Sequence, residues 1–420
     1  METLNLLISD ETLRDGEQQV GLFFDDKKSL AKLIAQTGVR QIALMPAIHA
    51  SEADLTSDLV DCGLKHQVVA STMMRRSAIE HARACGVQQV ILFHGVSDRL
   101  LFLRDPKVAQ DPGLKKKTID DDIPLSLIRR CRQHMLAHAL EHVRYATERG
   151  LKVCFAAEDA SRADGDFLID CINTLSPYIE QFLLCDTVGI LTPKKTAIWI
   201  QNLLKRTYGV PLSVHFHNDM GLALENTIQA LRSGATGVSG TFGGIGERAG
   251  NAPIEQVLKG LRSRFGWEVA GIDYDALDRV VAYLHAHGHR PHTPYSDQAN
   301  RHESGIHVSA LLRDRKSYSI FPHRQPEIWF GKGSGASNFQ YLFEQYLHHP
   351  LPQREYERLR VAIKAIAIEE KRSFSVEDML LLIKERDLVS SADSVIPIQG
   401  RAPLISPRTA EIATVLGEAR

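Results

Sequence analysis

Along the first 270 residues, short apolar runs rich in β-branched and aromatic side chains alternate with longer segments whose apolar positions recur every three or four residues. The runs are Leu4–Ser9, Gln41–Met45, Gln67–Ser71, Gln89–Phe93, Leu151–Ala157, Gln181–Cys185, Leu212–His217 and Gly237–Phe242. Helical patterns between them include Asp25–Gln36, Ser77–Cys85, Leu127–Arg149 and Pro193–Arg206. Glycines close several of these segments just before the next strand, at Gly38, Gly86, Gly150, Gly209 and Gly234. Strands that are apolar on both faces imply a parallel sheet covered by helices, and eight such units in this length have the size of a TIM (β/α)8 barrel. A doubly wound sheet is the alternative, but no G-x-G-x-x-G follows the first strand.

Beyond the barrel domain, residues 1–270, the rhythm changes. Residues 271–345 carry one helical pattern (271–290), a proline-containing connection (PHTPYSDQ) and an accessory lid segment. Residues 346–420 read as a helical region and tail. Arg354–Arg372 and Val376–Lys384 are amphipathic, with Ser375 and Asp378 as an N-terminal signal for the second. From Val389 onward, with Pro397, Pro403 and Pro407, no strong period persists. The fold expected is α/β, a barrel followed by a smaller, mainly helical accessory region.

Charge removes some functions. The 50 basic and 51 acidic residues leave a net charge of −1, which gives no electrostatic footprint for nucleic acid or an anionic membrane. Small molecules are the expected partners. Six cysteines are scattered without a C-x-x-C pair, as in a reducing compartment. The start METLNLLISDETLRDGEQ has no basic region followed by a long apolar core, so a cytoplasmic location is expected.

In a barrel, chemistry gathers at the C-terminal ends of the strands. Here those ends lead into DETLRDGEQ, EDASR (158–162), DTVG (186–189), His215 and His217, and GGIGERAGN (243–251). In a strand, residues i and i+2 share a side, so His215 and His217 converge. That favours a shared ligand, although H-x-H alone also fits a surface strand with two solvated imidazoles.

LRDGEQ, HFHNDMGLALEN and GIGERAGN, in this order, resemble the metal-dependent DRE-TIM family, and within it the homocitrate synthase and 2-isopropylmalate synthase branch. RHESGIHVSALLRDRKSY (301–318) and FGKGSG (330–335) resemble the accessory segment of those synthases, so the likeness covers about residues 5–340. It implies an acyltransferase that condenses acetyl-CoA with a 2-oxo acid and releases CoA. Asp15, His215, His217 and the amide oxygen of Asn251 would offer mixed oxygen and nitrogen donors to a divalent metal, Zn²⁺, Mn²⁺ or Mg²⁺. By resemblance Arg14 would stabilise the oxygen that becomes an alkoxide, and Gln18 and Thr187 would bind substrate. Glu158, His307 and Tyr318 would be catalytic, the last two in proton transfer. Each has a plainer reading: Arg14 as a salt-bridging loop arginine, Thr187 as a turn residue, Glu158 as a partner of Arg162, and Glu247 and Arg248 as a rim pair. The resemblance also implies a homodimer in which the accessory segment reaches a neighbouring subunit's barrel.

Two departures bear on specificity. After strand two the relatives commonly carry a glutamate where this chain has Ala43, and after strand three many carry a pocket arginine where it has Met73, with Arg75 and Arg76 close by. An apolar or otherwise unusual 2-oxo acid is expected in place of 2-oxoglutarate. The alternatives are a metal-dependent lyase of a 3-hydroxyacyl compound and a non-catalytic binding barrel. The sister lyases carry a cysteine in the loop after strand eight, where GGIGERAGNAP has none, and a barrel that had become a binding protein would be expected to have lost its ligands.

Overall fold

The computed structural model describes residues 2–321, 323–386 and 388–389. Eight parallel strands close into a barrel: Leu7–Asp10 (β1), Gln41–Leu44 (β2), Val68–Met73 (β3), Gln89–Gly95 (β4), Lys152–Glu158 (β5), Gln181–Asp186 (β6), Leu212–Phe216 (β7) and Gly237–Gly240 (β8). Each pairs with the next in sequence, and β8 pairs back with β1, so no edge is left open. Helices cover the outside and share one continuous core with the outward faces of the strands. Phe155 and Phe182, on neighbouring strands, lie with ring centroids 5.4 Å apart in this layer. Each fully buried ring of this kind contributes about 1.5–3 kcal/mol relative to exposure.

The apolar run Leu4–Ser9 is not one strand. Glu2–Leu4 pairs in parallel with Trp267–Val269 in a separate two-stranded sheet, and the barrel strand begins only at Leu7. Gly38 precedes β2 with φ +82°, and a Cβ there would meet the Gly271 carbonyl oxygen at 1.8 Å. Only glycine fits both the conformation and the contact.

The helix Tyr274–Ala286 packs Leu277, Val280 and Leu284 into the barrel's own core. A second core follows, in which Gln353–Glu370 and Val376–Glu385 enclose Phe330, Phe339, Phe343 and Phe374. Ser375 and Asp378 form the reciprocal cap that opens the last of these helices. The proline-containing tail from residue 390 lies outside the described residues. No helix among those described is long and apolar enough to cross a membrane.

Candidate metal and acid–base site

The C-terminal ends of the strands surround a cavity of about 1220 Å³. One side is built by β1, β7 and the loop after β8. His215 ends its side chain inside the barrel, and His217 stands just past β7, where its backbone bridges to Asn251. The two imidazoles meet edge to face with centroids 5.1 Å apart, the convergence that the i, i+2 spacing implies. Asp15 completes a buried trio whose ligand atoms all lie within 4.8 Å of one another.

The surrounding bonds orient this trio. Asn251 Nδ2 donates to Asp15 Oδ1 at 2.6 Å, and His215 Nδ1 lies 3.3 Å from both the carbonyl and the hydroxyl oxygen of Ser239. The opposite ring nitrogen of His215 faces Asp15 Oδ2 at 3.9 Å. Within the group formed by the trio and Asn251, His217 Nδ1 and Asn251 Oδ1 are buried without a protein hydrogen-bond partner. A buried polar atom without a partner is costly, and here both are lone-pair donors beside a carboxylate, so the residues fit a divalent cation. Gly246 makes the close approach possible: at φ +149°, a Cβ would lie 2.2 Å from Asn251 Nδ2 and 2.7 Å from Asp15 Oδ1.

Electrostatics match the arrangement. Burial opposes ionisation of Asp15, but Arg14, His217 and His215 outweigh it and hold the carboxyl below the usual range. Burial lowers both histidines, His217 to about 3 with Arg248 adding to the effect, so they stand as neutral ligands. Arg14 donates to Glu11 Oε2 at 2.6 Å and to Asp15 Oδ2 at 3.1 Å while lining the cavity. Glu11, which also accepts from Ser239 Oγ at 3.0 Å, fixes that guanidinium and was not singled out by its motif.

The acid–base groups sit above. Glu158 ends β5, and its partner is Arg104, not the expected Arg162; Arg104 Nη2 donates to Oε1 at 3.0 Å and Nη1 to Oε2. Arg162 turns instead to Asp159 and to the carbonyls of Lys316 and Ser317. The Tyr318 hydroxyl donates to Glu158 and accepts from Arg104. Burial works against ionisation of Glu158, yet Arg104 above all, then His307 and Tyr318, bring it down to about 2. His307 stacks on Tyr318 with centroids 3.9 Å apart, puts Nδ1 on Glu247 and points Nε2 toward Glu158 at 3.9 Å. Glu247 and Arg248 do pair, at 3.3 Å, and each has a further partner: Glu247 holds His307, and Arg248 holds Asp219 and the Thr187 carbonyl. The Thr187 hydroxyl accepts from the Asp159 amide at 2.8 Å, which leaves its proton free to donate. Gln18 lines the cavity, whereas its neighbour Gln19 is tied to the Arg290 carbonyl.

Arg104 was invisible in the motif reading; the signal available was an arginine closing the apolar stretch LLFLR. His307 and Tyr318 reach the barrel of their own chain, because Leu100 and Leu103 pack against Ala310, Leu311 and Tyr318, and Arg99 pairs with Asp314.

Comparison with known proteins agrees with the geometry. The HMGL-like family model matches residues 5–111 and 105–281. Homocitrate synthase 1 of Nostoc sp. is 30% identical over 91% of this chain and 97% of its own length. The 2-isopropylmalate synthase 2 of Caldanaerobacter subterraneus subsp. tengcongensis is 29% identical over 90% and 95%. Among solved structures, the HMG-CoA lyase of Bacillus subtilis aligns with TM-score 0.53 at 18% identity, over 69% of this chain and 96% of the lyase, a likeness of fold.

Proposed function

The chain belongs to the HMGL-like (DRE-TIM) family, in its homocitrate and 2-isopropylmalate synthase branch, and from that premise we propose that it condenses acetyl-CoA with a 2-oxo acid. It is an enzyme of the acyltransferase kind. The observation that carries the reading is the pairing of the Asp15, His215 and His217 trio with an acid–base cluster brought over it by the accessory segment.

Asp15, His215, His217 and the Asn251 amide oxygen would hold a divalent ion, which when bound polarises the keto carbonyl as a Lewis acid. Thr187 donates to the acid's carboxylate, and Gln18 borders the same space. His307 donates its Nδ1–H to the Glu247 carboxylate, so Nε2 is the base that takes a proton from the acetyl methyl group. The methyl carbon then bonds to the keto carbon. Arg14 stabilises the oxygen as negative charge develops on it, and Tyr318 with Glu158 carries the proton that converts it to a hydroxyl. Water cleaves the thioester, giving a 2-substituted malate and free CoA.

The test is thiol release from acetyl-CoA with a panel of 2-oxo acids, with the product identified by mass. The expected result is metal-dependent release that requires the acid and yields the acid plus one acetate unit. Release without an acid, or cleavage of a 3-hydroxyacyl-CoA in its place, contradicts the reading.

A further inference from the structure

A second set of metal-ligand side chains lies away from the Asp15 group, on the helix Leu125–Glu148. His134, His138 and His142 recur every four residues, and Glu141 follows His138 by three, so the four share one helix face. One ligand atom each from His138, Glu141 and His142 lies within 4.8 Å of the others. The rings of His138 and His142 have centroids 4.2 Å apart, and His134 and His94 flank His138 at 6.4 and 6.3 Å. His138 bonds to the Met74 carbonyl just after β3, and β3 stands opposite β7 in the closed barrel, so this group is well separated from the first.

Hydrogen bonds already set both rings for coordination. A carbonyl oxygen only accepts, so His138 Nε2, 3.1 Å from the Met74 carbonyl, carries a proton, and so does His142 Nδ1, 2.9 Å from the His138 carbonyl. The lone pairs are left on His138 Nδ1 and His142 Nε2. A backbone carbonyl behind the ring is the device that fixes the tautomer of a metal-binding histidine. Burial above all, then the neighbouring His142, lowers the pKa of His138 and keeps its ring neutral. Glu141 gives one oxygen to Arg76 at 2.9 Å, but that pair is 52% and 60% exposed and such pairs contribute about 0–1 kcal/mol, so the carboxylate is available to a cation. His142 is buried while Glu141 faces solvent, which gives an ion a way in. The condensation chemistry uses none of these groups.

We propose that His138, Glu141 and His142 form a second metal site, which takes a transition cation such as Zn²⁺ and rejects Mg²⁺. Two imidazoles on one helix face grip such an ion, whereas Mg²⁺ seeks oxygen ligands and water. Its occupant ties the helix to the segment after β3 through His138 and Met74, and stabilises the chain by binding only the folded state. With one ligand exposed and shared with Arg76, the site is the weaker of the two: it fills after the Asp15 group and empties when free metal is removed, so a desalted chain keeps only the first ion. The experiment is equilibrium dialysis of the full chain against Zn²⁺ and, separately, Mg²⁺, in wild type, Glu141→Gln and His142→Ala, with melting curves at each metal concentration. The expected result is a second Zn²⁺ per wild-type chain and a second rise in melting temperature. Both variants should bind that second ion at least about tenfold more weakly, lose the second rise and keep the first ion. Glu141 is exposed, so its variant tests the site even where His142→Ala is poorly folded. A single Zn²⁺ in wild type at saturation, a second ion that persists unchanged in folded variants, or a second Mg²⁺ bound as well as Zn²⁺ overturns the proposal and leaves the condensation reading standing.

Discussion

The two sides of the barrel mouth are built on opposite principles. On the side of β1, β7 and the loop after β8, the polar side chains are buried and bonded to one another: Glu11 to Arg14 and Ser239, Asp15 to Asn251, Arg248 to Asp219. On the side of β3 to β6, Met73, Ile91, Phe93, Ala156 and Leu183 form an apolar row without side-chain hydrogen bonds, while Ser71, His94 and Glu158 of the same strands line the cavity beside it. The polar side fixes its donor atoms in place. The apolar row offers a surface without hydrogen-bonding side chains. Changes on the first side should reduce turnover or stability.

The largest effect is expected at the acid–base cluster. His307→Ala should lower kcat by roughly 10²–10⁴ while metal content and melting temperature stay close to wild type. Steady-state kinetics with metal analysis checks this; a variant within a few fold of wild type would remove His307 from the reaction. Arg104→Met comes next, because it leaves Glu158 buried without its cation. Breaking such a pair costs about 3–5 kcal/mol, measurable by denaturant unfolding, and adding Glu158→Gln should recover a large part of it.

How much of this was legible in the sequence depended on distance along the chain. His215 and His217 declared themselves through strand periodicity, and Asp15 through its place after the first strand. The barrel followed from eight runs with helical patterns between them. What failed to show was pairing between distant segments. Glu158 and Arg104 are 54 positions apart, and nothing local distinguishes Arg104 from a surface arginine. The split of Leu4–Ser9 was hidden for the same reason: the run is apolar throughout, and only its partner strands, Trp267–Val269 and Gly237–Gly240, divide it. Ala43 was readable as a departure, but the row from Met73 to Leu183 needed the register of four strands.

A smaller effect follows from pH. Glu158 is held at about 2 against an ordinary 4.5, so its contribution to stability is present above pH 4.5 and is lost as the pH falls toward 2. The stability gap between wild type and Glu158→Gln should therefore narrow over that interval. Melting curves at stepped pH test it; a gap that stays constant would place the carboxylate in no such pair. The smallest effect lies outside both sides of the mouth. Ser375→Ala removes the cap of the last described helix and should cost about 1 kcal/mol with no change in substrate preference, read from denaturant midpoints and kinetics.

The division of the mouth rests on the polar side holding a metal. The direct measurement is metal content per chain, after chelation and reloading, in wild type, His215→Ala and His217→Ala, with melting curves to establish that all three are folded. The expected result is one divalent ion per wild-type chain and folded, essentially empty variants, since loss of a ligand weakens binding by more than about a hundredfold. Full occupancy in either folded variant would contradict the account.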